Sequence, residues 1–315
     1  MDPQQGQYLI GLSNAGIESF EGLKPSDAAV RSITNTLELS GIEIADVDFL
    51  ISATTTPDYN NPGLSQSILG KFPNIHIGGL EIRQSAAGFH FAVDLAKNFI
   101  SAGVYKSIII VCTEFLARSY QARQYSVLPD PDLEAAQAIS RDAVFSCLVC
   151  SEEFKTKLKM SATGFKLGQC AVYSSEKGVD SFSTQIPSSS QNPERITKDN
   201  LKANMHLPKL DTESFVSAVQ SAVPESLGKF DFANCKYFVT HSPIPALHKK
   251  LNWNSACPSA ESVDVIESLG YQGAAGIGSA LIELQKKNVL AKSEKLSSLA
   301  VGAGLNWGML NMEVF

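Results

Sequence analysis

Glu81-Ile82-Arg83-Gln84-Ser85-Ala86-Ala87-Gly88-Phe89 reads as a strand, a turn of small residues and the start of a helix, and it does not stand alone. Gly273-Ala274-Ala275-Gly276-Ile277 repeats the small-residue turn. Upstream, Asp48-Phe49-Leu50-Ile51-Ser52-Ala53-Thr54-Thr55-Thr56-Pro57 is an apolar run ending in a hydroxyl-rich turn with proline. Lys236-Tyr237-Phe238-Val239-Thr240-His241-Ser242-Pro243-Ile244-Pro245 repeats that run. Both repeats fall at one offset of 188 residues, from 48 to 236 and from 86 to 274. Each small turn then leads through a helical stretch to a second apolar strand, 107–112 in the first case and 296–301 in the second. Two separated segments sharing one shift mark an internal duplication of a β/α unit.

Ser26-Asp27 precedes apolar residues at helical spacing, Ala29, Ile33, Leu37 and Leu39, ending near Gly41; this predicts a capped amphipathic helix. Residues 214–223 repeat that role before the second-half strand. Helices alternating with short, nearly all-apolar strands predict an α/β fold with a mostly parallel sheet covered on both faces. The expected halves are 1–155 and 156–315. Three stretches, 119–141, 174–198 with its Ser188-Ser189-Ser190 run, and 252–262, interrupt the pattern and read as loops or caps over a site.

The chain has 315 residues, 44 % of them apolar and 18 % charged, enough for a sizeable buried core. Lys and Arg number 26 against 32 Asp and Glu, a net charge of −6, so no clustered basic face for nucleic acid is expected. The most apolar run, Ser107-Ile108-Ile109-Ile110-Val111-Cys112, is far shorter than the ~20 residues that span a bilayer. The polar start, Met1 to Gln7, has no signal-peptide pattern, so a cytoplasmic location is expected. Cys147-Leu148-Val149-Cys150 has CxxC spacing but lacks a second such pair. With His76, His90 and His206 showing no ligand spacing either, no metal site is expected. His248 reads as a helix-face residue.

The elbow holds position 86 at a helix N-terminus, where partial positive charge favours an anion and lowers a thiol pKa. That is a seat for a nucleophile, yet its occupant is alanine. The bland alternative is that small residues merely let the helix approach the sheet. His241, at the end of its strand, has a matching bland reading as a buried, hydrogen-bonded histidine.

From about Tyr8 to Phe315 the chain resembles the ketosynthase III family, 3-oxoacyl-acyl-carrier-protein synthase III and its relatives, of the thiolase fold. Ser52-Ala53-Thr54-Thr55-Thr56-Pro57 resembles the family's first-strand signature, and Ala86-Ala87-Gly88-Phe89 stands where the family has Cys-Ala-Gly-Phe. Thr240-His241 falls at the active-site histidine, Gly270-Tyr271-Gln272-Gly273-Ala274-Ala275 where the family has Gly-Asn-Thr-Gly-Ala-Ala, and Gly302-Ala303-Gly304-Leu305-Asn306-Trp307-Gly308 at the glycine-rich loop. The resemblance implies a five-layered α-β-α-β-α thiolase fold and acyl transfer or carbon–carbon condensation on an acyl thioester. His241 would be oxyanion donor or base, and Gly304 a backbone donor to the thioester oxygen. Ser85, Asn60, Asn61 and Phe89 would line the substrate. No permanently bound cofactor is implied; the substrate is an acyl group on a carrier protein or coenzyme A. Asn14 stands near the position of the arginine that grips coenzyme A, and no tryptophan partner is present, which favours an acyl group delivered by a carrier protein or by a partner subunit. Lys249 and Lys250 suit an acidic carrier protein, or equally a solvated basic face. The loop Pro57-Asp58-Tyr59-Asn60-Asn61-Pro62 matches the segment that crosses to the dimer mate; Asn60 or Asn61 stands where relatives that join two long acyl chains have a glutamate. The family's usual first strand, and with it that edge of the sheet, is expected to be absent or replaced.

Two of the three family side chains are replaced, cysteine by Ala86 and asparagine by Tyr271. Ala86 is then either an engineered substitution or natural, in a degenerate subunit of a heterodimer with a cysteine-bearing paralogue. Tyr271 could offer its phenol where the asparagine acted. Making Ser85 the nucleophile is disfavoured, because a helix turns about 100° per residue and Ser85 would point elsewhere.

Overall fold

The computed structural model describes residues 6–17, 19–122, 131–158, 164–183, 197–202, 205, 209–232 and 234–315. Among them, ten strands form one sheet: β1 Gln7–Ser13, β2 Phe49–Ala53, β3 Gly78–Ile82, β4 Ser107–Phe115, β5 Asp142–Ser151, β6 Phe165–Ser174, β7 Cys235–His241, β8 Glu261–Asp264, β9 Lys295–Gly302 and β10 Asn306–Val314. Their spatial order is β8-β7-β9-β10-β6-β1-β5-β4-β2-β3. Each half contributes five strands, and the halves meet where β1 pairs with β6 through Tyr8↔Lys166 and Leu9↔Phe165.

The sheet is mixed rather than mostly parallel. β2 runs parallel to β3 and β4, and β7 parallel to β8 and β9. The pairs β1–β5, β4–β5, β1–β6, β9–β10 and β6–β10 are antiparallel. An all-apolar strand reports burial on both faces, not direction, and the tight reversal after Gly302 makes β9 and β10 antiparallel neighbours. The first strand is also present. All seven residues of β1 are buried at the centre of the sheet, so the expectation of a missing strand fails.

Four helices complete the layers: α1 Pro25–Ser40, α2 Gly88–Ser101, α3 Thr212–Lys229 and α4 Gly276–Lys286. α2 contacts β2, β4 and β5 of one half and β6 and β10 of the other, and α4 contacts β1, β5 and β7. Both therefore lie between the half-sheets. α1 covers one outer face, placing Ala29, Ile33 and Leu37 with Ile10, Ile109 and Leu148. α3 covers the other, placing Phe215, Val219 and Val223 with Phe238, Leu299 and Met309. The five α-β-α-β-α layers of the thiolase fold result.

Asp27 sits inside α1, accepting from the Lys24 N–H (3.2 Å), and Gly41 closes the helix at φ 67°. Leu39 falls off the buried face and is exposed. α3 is capped by Asp211, which accepts from the Ser214 N–H (3.0 Å), and extends past Pro224. Cys147 and Cys150 are an odd number of residues apart on β5, so they face opposite sides, one toward the central core and one toward the outer core. They cannot share a metal. All six cysteines are free, and burial pushes the thiols of Cys112, Cys147, Cys150, Cys170 and Cys257 up. Among the described residues no helix is long and apolar enough to cross a membrane, and no three His, Cys, Asp or Glu side chains group to hold a metal. His206, Ser188-Ser189-Ser190, and parts of the stretches 119–141 and 174–198 lie outside the described residues.

Candidate active site

β3 delivers the chain to Gln84, and Ser85–Ala87 make a single tight turn that continues into α2 at Gly88. In the second half, Gly273–Ala275 make the same turn into α4. The backbones match angle for angle. Ser85 has φ 49° and Gly273 φ 47°. Ala87 and Ala275 have φ,ψ of −78°,−8° and −80°,−18°, and Gly88 and Gly276 −53°,−38° and −58°,−48°. The two turns are in contact at the centre of the molecule. Ala86, in the middle of the first turn, is fully buried.

His241 ends β7 beside them. It is buried, and neither ring nitrogen has a hydrogen-bond partner. Burial drives its pKa down to about 3; the Gly273 backbone opposes this without reaching hydrogen-bond geometry. The imidazole is therefore neutral at pH 7. A Cβ on Gly276 would lie 2.5 Å from His241 Nε2, so glycine at the start of α4 makes room for the ring.

The Tyr271 ring stacks on His241 with centroids 5.2 Å apart at 27°. Its backbone is held by the 139–141 segment: its N–H donates to the Ile139 carbonyl (2.8 Å), and its carbonyl accepts from the Arg141 N–H (2.9 Å). Phe182 lies 6.3 Å from its ring. Two of the interrupting stretches thus reach the site. The phenol oxygen is 2.8 Å from Ser85 Oγ, and either can donate. Burial pushes the phenol pKa well up, so it is neutral. Ser85 does not point elsewhere. It opens the tight turn at φ 49°, outside α-helical geometry, so a 100° α-helical step does not set its direction, and its hydroxyl reaches the tyrosine that stacks on His241.

Two more residues fix this arrangement, Gly302 of the glycine-rich loop and Glu114, which the sequence reading did not single out. Gly302, at the end of β9, lies against the first elbow; a Cβ there would come 2.7 Å from the Gln84 carbonyl, 2.8 Å from Ala86 N and 2.9 Å from Ser85 Cβ. Glu114, fully buried at the end of β4, lies against the second. It accepts from the Thr55 N–H (3.2 Å), Thr55 Oγ1 (2.7 Å), Thr56 Oγ1 (3.4 Å) and the Ala274 N–H (3.2 Å). Burial raises its pKa to about 7, against the hydrogen bonds from Thr55, Ala274 and Thr56. A lone carboxylate closing the run 107–115 was the available signal in the sequence.

The other candidates are dispersed. Gly304 has φ 122°, a backbone open to glycine, and a Cβ there would meet Asn306 Nδ2. Phe89 is wholly buried, edge-on to Phe145 (5.4 Å). Asn60 and Asn61 are exposed on the loop after β2, outside the buried cluster. Asp58 accepts from the Ser26 N–H (2.9 Å) and Oγ (2.5 Å) and so anchors that loop to α1. Lys249 binds both Glu267 oxygens (3.0 and 3.1 Å), and Lys250 is exposed. His248 lies on the short helix Leu247–Lys250 and faces inward, buried with Nδ1 3.0 Å from Asp264 Oδ2 on β8. His90 is buried too, with Nε2 2.9 Å from Ser298 Oγ.

Residues 229–314 match the family described as 3-oxoacyl-[acyl-carrier-protein (ACP)] synthase III C terminal. Beta-ketoacyl-[acyl-carrier-protein] synthase III of Clostridioides difficile is 24 % identical over 301 residues, 90 % of this chain and 81 % of the relative. The protein of that name from Clostridium acetobutylicum is 25 % identical over 321 residues, 96 % of this chain and 90 % of the relative. Among solved structures, 3-oxoacyl-(acyl carrier protein) synthase III of Xanthomonas oryzae pv. oryzae aligns over 98 % of this chain and 99 % of its own, with TM-score 0.75 and 15 % identity. A variant of OleA from Xanthomonas campestris aligns over 98 % of both chains, with TM-score 0.74 and 14 % identity. The chain has the thiolase fold, and its sequence is similar to ketosynthase III along nearly its whole length.

Proposed function

We propose that the chain is a ketosynthase III-like subunit of fatty-acid or polyketide metabolism that receives an acyl thioester at the first elbow and lacks the thiol needed for an acyl-cysteine there. One observation carries this reading: a buried neutral imidazole, both nitrogens unpartnered, stacked on the Tyr271 ring whose phenol reaches the first elbow at Ser85, where Gly302 lies against the Ala86 N–H. Helix N-terminal N–H groups favour the developing oxyanion of a thioester carbonyl. A neutral imidazole at pH 7 can accept a proton, or donate one hydrogen bond, according to tautomer. The acyl group would arrive on a carrier protein or coenzyme A. The working unit would be a dimer, of like chains or with a cysteine-bearing paralogue; β3 forms one outer edge of the sheet, and edge strands invite pairing.

The test is intact-protein mass spectrometry of Ala86→Cys incubated with a panel of acyl thioesters. One acyl mass, mapped to position 86, is expected. No adduct from any donor overturns the thioester reading. A second reading, a non-catalytic partner subunit, draws on the joint replacement at Ala86 and Tyr271; stoichiometric co-purification with a cysteine-bearing paralogue would favour it.

A further inference from the structure

The two elbows share a backbone but not an occupant at their strained position. A residue at φ near 50° is left-handed, which costs a non-glycine residue about 1–2 kcal/mol. The second elbow meets that demand with Gly273, and the first carries Ser85. Backbone strain borne by a side chain at a site points to use of that side chain. The hydroxyl lies 2.8 Å from the neutral phenol of Tyr271, whose ring stacks on His241. Ser85 Cβ also lies beside Ala86 N and Gly302, where a thioester carbonyl would be held.

We propose that Ser85 is the acyl acceptor of this chain, an oxygen nucleophile displaced by one residue from the vacant thiol position, with Tyr271 as its proton relay. This rests on the reading of the elbow as an acyl-thioester site. The Ser85 oxygen attacks the thioester carbonyl carbon, a C–O bond forms, and the C–S bond breaks with its electron pair leaving on sulfur. The serine proton passes to the phenol oxygen while the phenol proton passes to the departing sulfur. Tyr271 ends neutral, and the products are a seryl ester and a free thiol. The ligand class is an acyl thioester, with no added reactant.

The experiment is intact mass spectrometry and peptide mapping of the unaltered chain, Ser85→Gly, Tyr271→Phe and Ala86→Cys with octanoyl- and acetyl-coenzyme A and the corresponding acyl-carrier proteins. Ser85→Gly relieves the left-handed strain, so a folded protein is expected and its melting curve checks this. The expected result is one acyl mass on the unaltered chain, mapped to Ser85, absent in Ser85→Gly and formed at least 100-fold more slowly in Tyr271→Phe, the scale of a lost proton transfer. An adduct on Ala86→Cys with none on the unaltered chain overturns the serine assignment and leaves the thioester site standing. No adduct on either overturns both, and an adduct mapped away from Ser85 overturns the serine assignment.

Discussion

The first elbow, Ser85–Ala87, and the second, Gly273–Ala275, are the same piece of backbone used twice. Their neighbours differ. The second is filled from within: the Glu114 carboxylate takes the Ala274 N–H and two threonine hydroxyls, as a bound anion would. The first is faced by Gly302 and by the Tyr271 phenol, behind which the unpartnered His241 ring stacks. A duplicated unit has become a structural clasp at one copy and lacks that carboxyl filling at the other. The difference lies in what the ends of β4 and β9 present, Glu114 or Gly302.

That contrast can be broken most severely at Gly302. Gly302→Val would drive Cβ into backbone atoms that cannot move aside, so a loss of about 3 kcal/mol in urea unfolding is expected, with no acylation in the Ala86→Cys background. A retained midpoint would show that the first elbow is not tight. Gly273→Ser copies the first elbow onto the second. There Cβ would meet Glu114 at 2.6 Å, and a cost of about 2 kcal/mol is expected, measured by the same unfolding curves.

Glu114→Gln sharpens the clasp, because an amide N–H₂ would face donors. At pH 5 the buried acid is itself protonated and the amide is its neutral stand-in, so a change of no more than about 1 kcal/mol is expected there. Since the folded pKa, about 7, lies above the ordinary value of 4.5, the folded state holds the proton longer. The Glu114 contribution is thus full below pH 4.5 and lost as pH rises through 7, with a slope of at most about 1.4 kcal/mol per pH unit. In Glu114→Gln this slope should vanish, as midpoints at pH 5 and 8 would reveal. His241 works in the opposite sense. Its folded pKa, about 3, lies below 6.5, so its contribution is lost as pH falls below 6.5. His241→Gln should flatten that acid limb in circular-dichroism melts. The smallest effect is a near cancellation: Ser85→Gly relieves about 1 kcal/mol of left-handed strain but takes the partner from the buried Tyr271 phenol, so a net change within about 1 kcal/mol is expected in calorimetry.

The elbows and His241 were legible because a repeat at constant offset places a small-residue turn and a strand end without knowledge of packing. Strand direction was not, because burial on both faces leaves no mark of polarity in 107–112 or 296–301. Glu114 escaped because its partners, Thr55, Thr56 and Ala274, are brought together only by the fold. His248 does lie on a short helix, Leu247–Lys250, but its inward direction could not be read because its partner, Asp264, comes from β8. The orientation of Ser85 depends on a backbone angle that serine does not advertise; its twin Gly273, aligned with it at the same offset, was the one hint.

The burial of the thiols gives the molecule a practical virtue. Five cysteines are buried and Cys170 is half-buried with its thiol pushed up, so the chain should be quiet toward maleimides at neutral pH. In Ala86→Cys, alkylation would report one position against a dark background, and its rate with and without a bound acyl chain would measure how far the first elbow opens to the outside.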